Sequence, residues 1–124
     1  MKEVQFQPNG ERLSIDIQFG YAQIASYRLR LWESGSNTIL LDKSGNNKNP
    51  DDDCYDLPLP TDKNDGRLMQ LETSIVSPTA TPGEQYSVTI IFKQGTTEIE
   101  RAVEKGPITG SRVTPEFWIT LKKK

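Results

Sequence analysis

Apolar residues in this chain recur at every second position and almost never at the three-to-four spacing of an amphipathic helix, which predicts strands throughout. Leu13, Ile15, Ile17 and Phe19 alternate with Ser14, Asp16 and Gln18, so one face of an extended segment is apolar and the other polar. Tyr27, Leu29 and Leu31 repeat the pattern against Arg28, Arg30 and Trp32. Glu33 to Asn37 then supplies turn residues before Thr38 to Asp42 resumes, which reads as a hairpin. Met69, Leu71, Thr73 and Ile75 predict another strand, ended by the Ser77 to Gly83 segment, where Pro78 and Pro82 cannot donate to a ladder. Tyr86, Val88, Ile90 and Phe92 give the cleanest alternation. Gln94-Gly95-Thr96 turns from there into Thr97 to Glu104, a second hairpin with Ile99, Arg101 and Val103 on one side and Glu98, Glu100 and Ala102 on the other. A last strand is expected over Phe117 to Leu121, ahead of Lys122 to Lys124, a charged end that resists further pairing. An early strand is expected near Val4 and Phe6.

Lys43 to Gly66, KSGNNKNPDDDCYDLPLPTDKNDG, is too polar and too rich in Gly, Pro, Asn and Asp to build its own core, and predicts a long loop with a short extended piece at Leu57 to Leu59. The whole reads as one all-β domain over 1–124, with seven to nine short antiparallel strands arranged as a β-sandwich. The absence of an internal repeat argues against a propeller or solenoid.

Composition narrows the chemistry. The 124 residues contain no histidine, which excludes Ser-His-Asp, Cys-His and His-zinc sites. Fifteen basic against seventeen acidic residues give a formal charge of -2 with no clustered basic face, so nucleic acid is not an expected partner. No apolar run approaches the roughly 18 residues of a spanning helix, and membrane insertion is not expected. The lone Cys54 cannot form an internal disulfide and leaves the redox compartment open. The first twenty residues lack the apolar stretch of a secretory signal, so the expectation is a cytoplasmic protein unless the sequence begins after a removed leader.

Pro82-Gly83-Glu84-Gln85-Tyr86-Ser87-Val88-Thr89-Ile90 resembles the passage that opens the sixth strand of fibronectin type III-like domains, and Tyr27 to Trp32 is similar to the third strand of the same family. The resemblance implies an immunoglobulin-like sandwich, with Tyr86 as a corner-holding residue, and a role in binding, spacing or scaffolding. It supplies no catalytic residue.

Four candidate sites follow from residue chemistry. Asn46 to Asp56 concentrates oxygen donors of the kind calcium takes, and Asp51, Asp52, Asp53 and Asp56 are the ligands such a site would use. The spacing lacks the order of a helix-loop-helix calcium loop, so a solvated loop with no cofactor is the first expectation and calcium the alternative. Cys54 stands among carboxylates that disfavour its thiolate, which makes it an incidental thiol rather than a nucleophile. Glu33, Glu98, Glu100 and Glu104 could in principle supply the two carboxylates of glycoside hydrolysis, though alternating glutamates near Lys and Arg read as a solvated face. Arg28, Arg30 and Trp32, outward if Leu29 and Leu31 point inward, would form a basic-aromatic stripe, either an interaction surface or cover for a neighbouring strand paired with Glu98 or Glu100.

The first functional reading is therefore a non-enzymatic module that binds a protein partner through Arg28, Arg30 and Trp32 or through the long loop. The second is a carbohydrate- or calcium-binding accessory module in which Trp32 or Trp118 stacks on a sugar. The third is a carboxylate-only hydrolase. Edge-strand pairing into a homodimer is open, because a sandwich keeps unpaired edges.

Overall fold

The computed structural model describes residues 2–21, 24–47, 53–77 and 83–124. The period-two pattern becomes two facing sheets. One has the strand order β1-β10-β6-β3-β4, built from β1 (Lys2–Phe6), β10 (Glu116–Lys123), β6 (Leu68–Val76), β3 (Ile24–Trp32) and β4 (Ile39–Asn46). The short β9 (Arg112–Val113) pairs with the end of β6. The other has the order β5-β2-β7-β8, built from β5 (Asp53–Asp56), β2 (Leu13–Gly20), β7 (Gln85–Gln94) and β8 (Thr97–Pro107).

The inward residues of the two sheets meet in one core. Val4, Phe6, Leu29, Leu31, Met69, Leu71, Ile119 and Leu121 come from the first sheet, and Leu13, Ile15, Ile17, Val88, Ile90 and Phe92 from the second. Burial of these alternating side chains removes each sheet's apolar face from water and fixes the register, since a one-residue slip would turn every one of them outward. The protein is thus an all-β, two-layer sandwich. Among the described residues the α-helix is absent, and one 3-10 turn, η1 (Thr61–Asn64), interrupts the strands.

Several expectations need correction. Ten strand segments are found among the described residues, against seven to nine expected, and β1 pairs with β10 in parallel, so the sandwich is not purely antiparallel. The lysine end does not stop pairing: Gln5 stands opposite Lys122, Phe6 opposite Lys123, and Lys124 N–H donates to Phe6 O. The 43–66 stretch is not one long loop. It contributes the end of β4, all of β5 and η1, while Leu57, expected in an extended piece, is fully buried just after β5. β5 escapes a hydrophobicity pattern because it is a four-residue edge strand, of which only Tyr55 packs against the core. Tyr55 reaches the opposite sheet, where its hydroxyl is hydrogen-bonded to that of Tyr27; burial foremost, then this bond, holds the Tyr27 phenol well above its ordinary pKa. Gly45 makes room for the contact, as a Cβ there would lie 2.5 Å from the Tyr27 hydroxyl.

In β8 the expected alternation holds only in part. A bulge sets Phe92 opposite Glu100 and Lys93 opposite Glu98, so Glu100 and Ala102 share the side of the buried Phe92 and Ile90. The edges of the sheets are β1 and β4 in one, β5 and β8 in the other. Of the two passages that carry the fibronectin-like resemblance, Tyr27 to Trp32 falls on β3 and Gln85 to Ile90 on β7, in opposite sheets, while Pro82 lies outside the described residues.

Candidate functional site

The outward face of the β10-β6-β3-β4 sheet gathers all four residues singled out as a binding surface. Across the sheet Trp118 stands opposite Gln70, Gln70 opposite Arg30, and Arg30 opposite Asp42; the neighbouring row runs Thr120, Leu68, Trp32, Ile39. Trp32 and Trp118 are therefore on strands flanking β6, roughly two strand spacings or about 10 Å apart at the backbone, a gap that only long side chains close. The indoles close this gap across β6 and stack with ring centroids 6.0 Å apart and planes 14° from parallel. A bulge in the β3–β4 pairing falls between Leu31 and Trp32, at the point where such irregularities re-aim a side chain.

Arg30 completes the stack, with its guanidinium carbon 5.3 Å from the Trp32 ring centre. It also forms an ion pair with Glu72 on β6, and its Nε is buried without a hydrogen-bond partner. Gln70, opposite both Arg30 and Trp118 in the register, is buried although it faces outward, and donates to Glu116 Oε1 at 2.5 Å. Arg28 makes a two-pronged bond to Asp42, 3.0 and 2.8 Å, and this pairing holds the Asp42 carboxyl below its ordinary pKa. The partners of Arg28 and Arg30 are thus Asp42 and Glu72, not Glu98 or Glu100, because β8 belongs to the other sheet.

Hollows among the described residues border this face. One of about 480 Å³ is lined by Arg28, Glu72, Arg112 and Glu116 among others. Glu72 and Glu116 stand directly opposite each other on β6 and β10. Like charges so placed repel, and the Arg30 and Gln70 contacts offset that. A second hollow of about 520 Å³ runs from Glu116, Phe117 and Trp118 to Arg101–Glu104 of β8, with Lys2 at one end. The third, about 360 Å³, lies beside the tryptophans, with Leu68, Gly66 and the Glu33–Asn37 turn around it.

The wall of this third hollow was not legible in the sequence. Arg67 is buried and donates to both oxygens of Glu33, at 3.1 and 3.0 Å, and to Asn64 Oδ1 at 2.9 Å. Asn64, fully buried, is fixed by the Pro58 and Thr61 carbonyls. Gly66, at φ 79°, passes so close to Ser34 that a Cβ would meet its hydroxyl at 2.5 Å. The hydrogen bonds from Arg67, then that from the Ser34 backbone, hold Glu33 below the usual carboxylate range.

The remaining candidates lie elsewhere. Glu98, Glu100 and Glu104 are on β8, in the sheet opposite Glu33, so the four glutamates are not gathered at one place. Asp53 and Asp56 are on β5, whereas Asp51 and Asp52 lie outside the described residues; among those described, no three acidic or cysteine side chains converge as a metal would require. Cys54 is exposed, and its thiol is pushed up to about 11 by a hydrogen bond to Asp16 first and by burial second. The carboxylate responsible is the cross-strand neighbour rather than the adjacent Asp53. Comparison with protein-family models, with curated proteins and with solved structures gave no match in any of the three.

Proposed function

We propose that the protein is a non-enzymatic binding module whose recognition surface is the outward face of the β10-β6-β3-β4 sheet, and that its partner is a protein. The observation that carries this reading is the Arg30–Trp32–Trp118 stack, with Trp118 38% exposed. Trp and Arg are the residue types that dominate interface energies, and here they sit over a rigid central strand rather than on a loop. The charges around them already have partners on the same face, so a docking surface finds few bare charges to desolvate. No metal and no nucleic acid form part of this reading.

The immunoglobulin-like assignment is a finer proposal. The two layers, mostly antiparallel pairing and two hairpins support it. The position of β3 and β7 in opposite sheets weighs against it, because the third and sixth strands of that fold share a sheet. The binding reading needs only the sandwich.

A photo-crosslinking residue at Ser44, next to the face on β4, would capture the partner from cells for identification and titration. Replacement of both tryptophans by Ala is expected to weaken the purified complex at least about thirtyfold, the loss typical of hot-spot truncation. Circular dichroism should show the β-fold retained. A complex indifferent to both replacements overturns the proposal.

A further inference from the structure

The 360 Å³ hollow beside the tryptophans is at the small end of ligand-site volumes, and it is the place where an apolar wall meets a polar rim. Trp32, Trp118 and Leu68 form its apolar wall, and Glu33, Ser36 and Asn37 the rim. We propose that this pocket binds one neutral pyranose ring, its C–H face against the Trp118 indole and its hydroxyls on Glu33 and Asn37. This rests on the outward sheet face being a binding surface, and names the chemistry that enters its pocket: a sugar, free or carried by the partner protein.

Charge and shape select that ligand over its rivals. A quaternary ammonium is held by aromatic rings set around it, whereas these two are stacked on each other and cannot surround a guest. The Arg30 guanidinium already sits over Trp32 and repels a second cation there. Anions are disfavoured by the Glu33 carboxylate at the rim. A pyranose carries no charge, and pairs an apolar ring face with hydroxyls around its edge.

Glu33 is built as a fixed acceptor. A carboxylate offers about four lone-pair positions. Oε1 takes bonds from Ser34 N–H and Arg67 Nε, and Oε2 takes one from Arg67 Nη2, leaving a position on Oε2 for a sugar hydroxyl. Arg67 is held in turn by buried Asn64, so the acceptor is in place before the ligand arrives. Asn37 contributes an amide that can both donate and accept.

The test follows the indole N–H signals by NMR while methyl glucoside, galactoside and mannoside, and then β-linked trisaccharides of each, are added to millimolar concentration. The expected result is a saturable shift of the Trp118 signal with at least one sugar. Trp118→Ala should cost at least about thirtyfold in affinity and Asn37→Ala about tenfold. Asn37 is on an exposed turn, so its replacement reports on the site even if Glu33→Gln loosens the Arg67 contact. A second arm uses a mannose-bearing glycoprotein before and after enzymatic removal of its glycans; binding lost on deglycosylation marks a carried sugar as the source. The proposal is overturned if neither arm moves Trp118, or if tetramethylammonium binds more tightly than every sugar. Should sugars fail while the protein complex still depends on the tryptophans, the sugar falls and the binding face stands; if both fail, the face falls as well.

Discussion

The outward faces of the two sheets arise from the same alternation and end differently. On the β5-β2-β7-β8 sheet, the polar positions close over one another. Lys93 pairs with Asp16 at 2.5 Å, Arg101 pairs with Glu98 at 2.5 Å, and Ile91, which stands between Asp16 and Arg101 in the register, is only 5% exposed. Burial raises the Asp16 pKa, but the bonds from Cys54 and Lys93 outweigh it, and the net shift is downward. On the other sheet the outward positions include two indoles, and two hollows lie beside them, one lined by both and one by Trp118. On the β5-β2-β7-β8 face the charge pairs close over Ile91; on the other face charge pairs are present as well, and the two indoles across the central strand leave apolar surface beside them.

This contrast predicts opposite responses to truncation. Ile91→Ala should cost about 2 kcal/mol in urea denaturation, the low end for a buried isoleucine, and leave partner binding unchanged. Trp118→Ala should cost about 1 kcal/mol or less, the worth of a partly exposed aromatic pair, while removing most of the binding. If Trp118 is the costlier of the two to stability, the tryptophans are cover and the contrast is wrong.

Next in size is the reactivity of Cys54. With its pKa near 11, alkylation by iodoacetamide at pH 8 should be roughly tenfold slower than for a thiol of pKa 9, the scarcer thiolate being partly offset by its greater nucleophilicity, despite the exposure of the residue. Asp16→Asn removes the largest cause and should speed alkylation severalfold. An unchanged rate would mean that Asp16 does not govern the thiol.

Acid sensitivity separates the faces further. Asp16, Glu33, Asp42 and Glu98 all have lowered pKa values in the folded protein, so their contributions are present above their ordinary values, 3.8 for Asp and 4.5 for Glu, and fade as pH falls through the folded ones. Stability should therefore decline below about pH 4.5. Asp16→Asn, at a mostly buried pair, should flatten that decline visibly; Asp42→Asn, at an exposed one, should hardly change it. Equal effects would show that burial does not set the difference. The smallest effect is expected from a double-mutant cycle on Arg28 and Asp42, a coupling of less than about 1 kcal/mol that shrinks in salt.

Much of the scaffold could be read along the chain because its strands have one wet and one dry face. Leu13 to Phe19, Tyr86 to Phe92 and the turns at Gly35 and Gly95 announce themselves by local chemistry. β5 did not, since a four-residue edge strand with two aspartates carries no alternation to detect. The β8 bulge at Ile99 was hidden for a related reason: it depends on the register against β7, not on the residues of β8.

The candidate site divides in the same way. That Arg28, Arg30 and Trp32 face outward follows from Leu29 and Leu31 between them, and the structure places them so. Trp118 lies 86 positions from Trp32 (118 minus 32), and nothing in either neighbourhood announces their stacking. Asn64 and Gly66 read as parts of a polar loop and Arg67 as the residue just past it, and all three acquire a role only when the chain after η1 is tied to β10 through Gly66 N–H to Leu121 O and Leu121 N–H to Arg67 O. The sequence by itself determined which residues face water, because alternation is a local property of an extended chain. Only the tertiary structure decided which of them meet, because strand order and register are settled by burying two whole sheet faces at once.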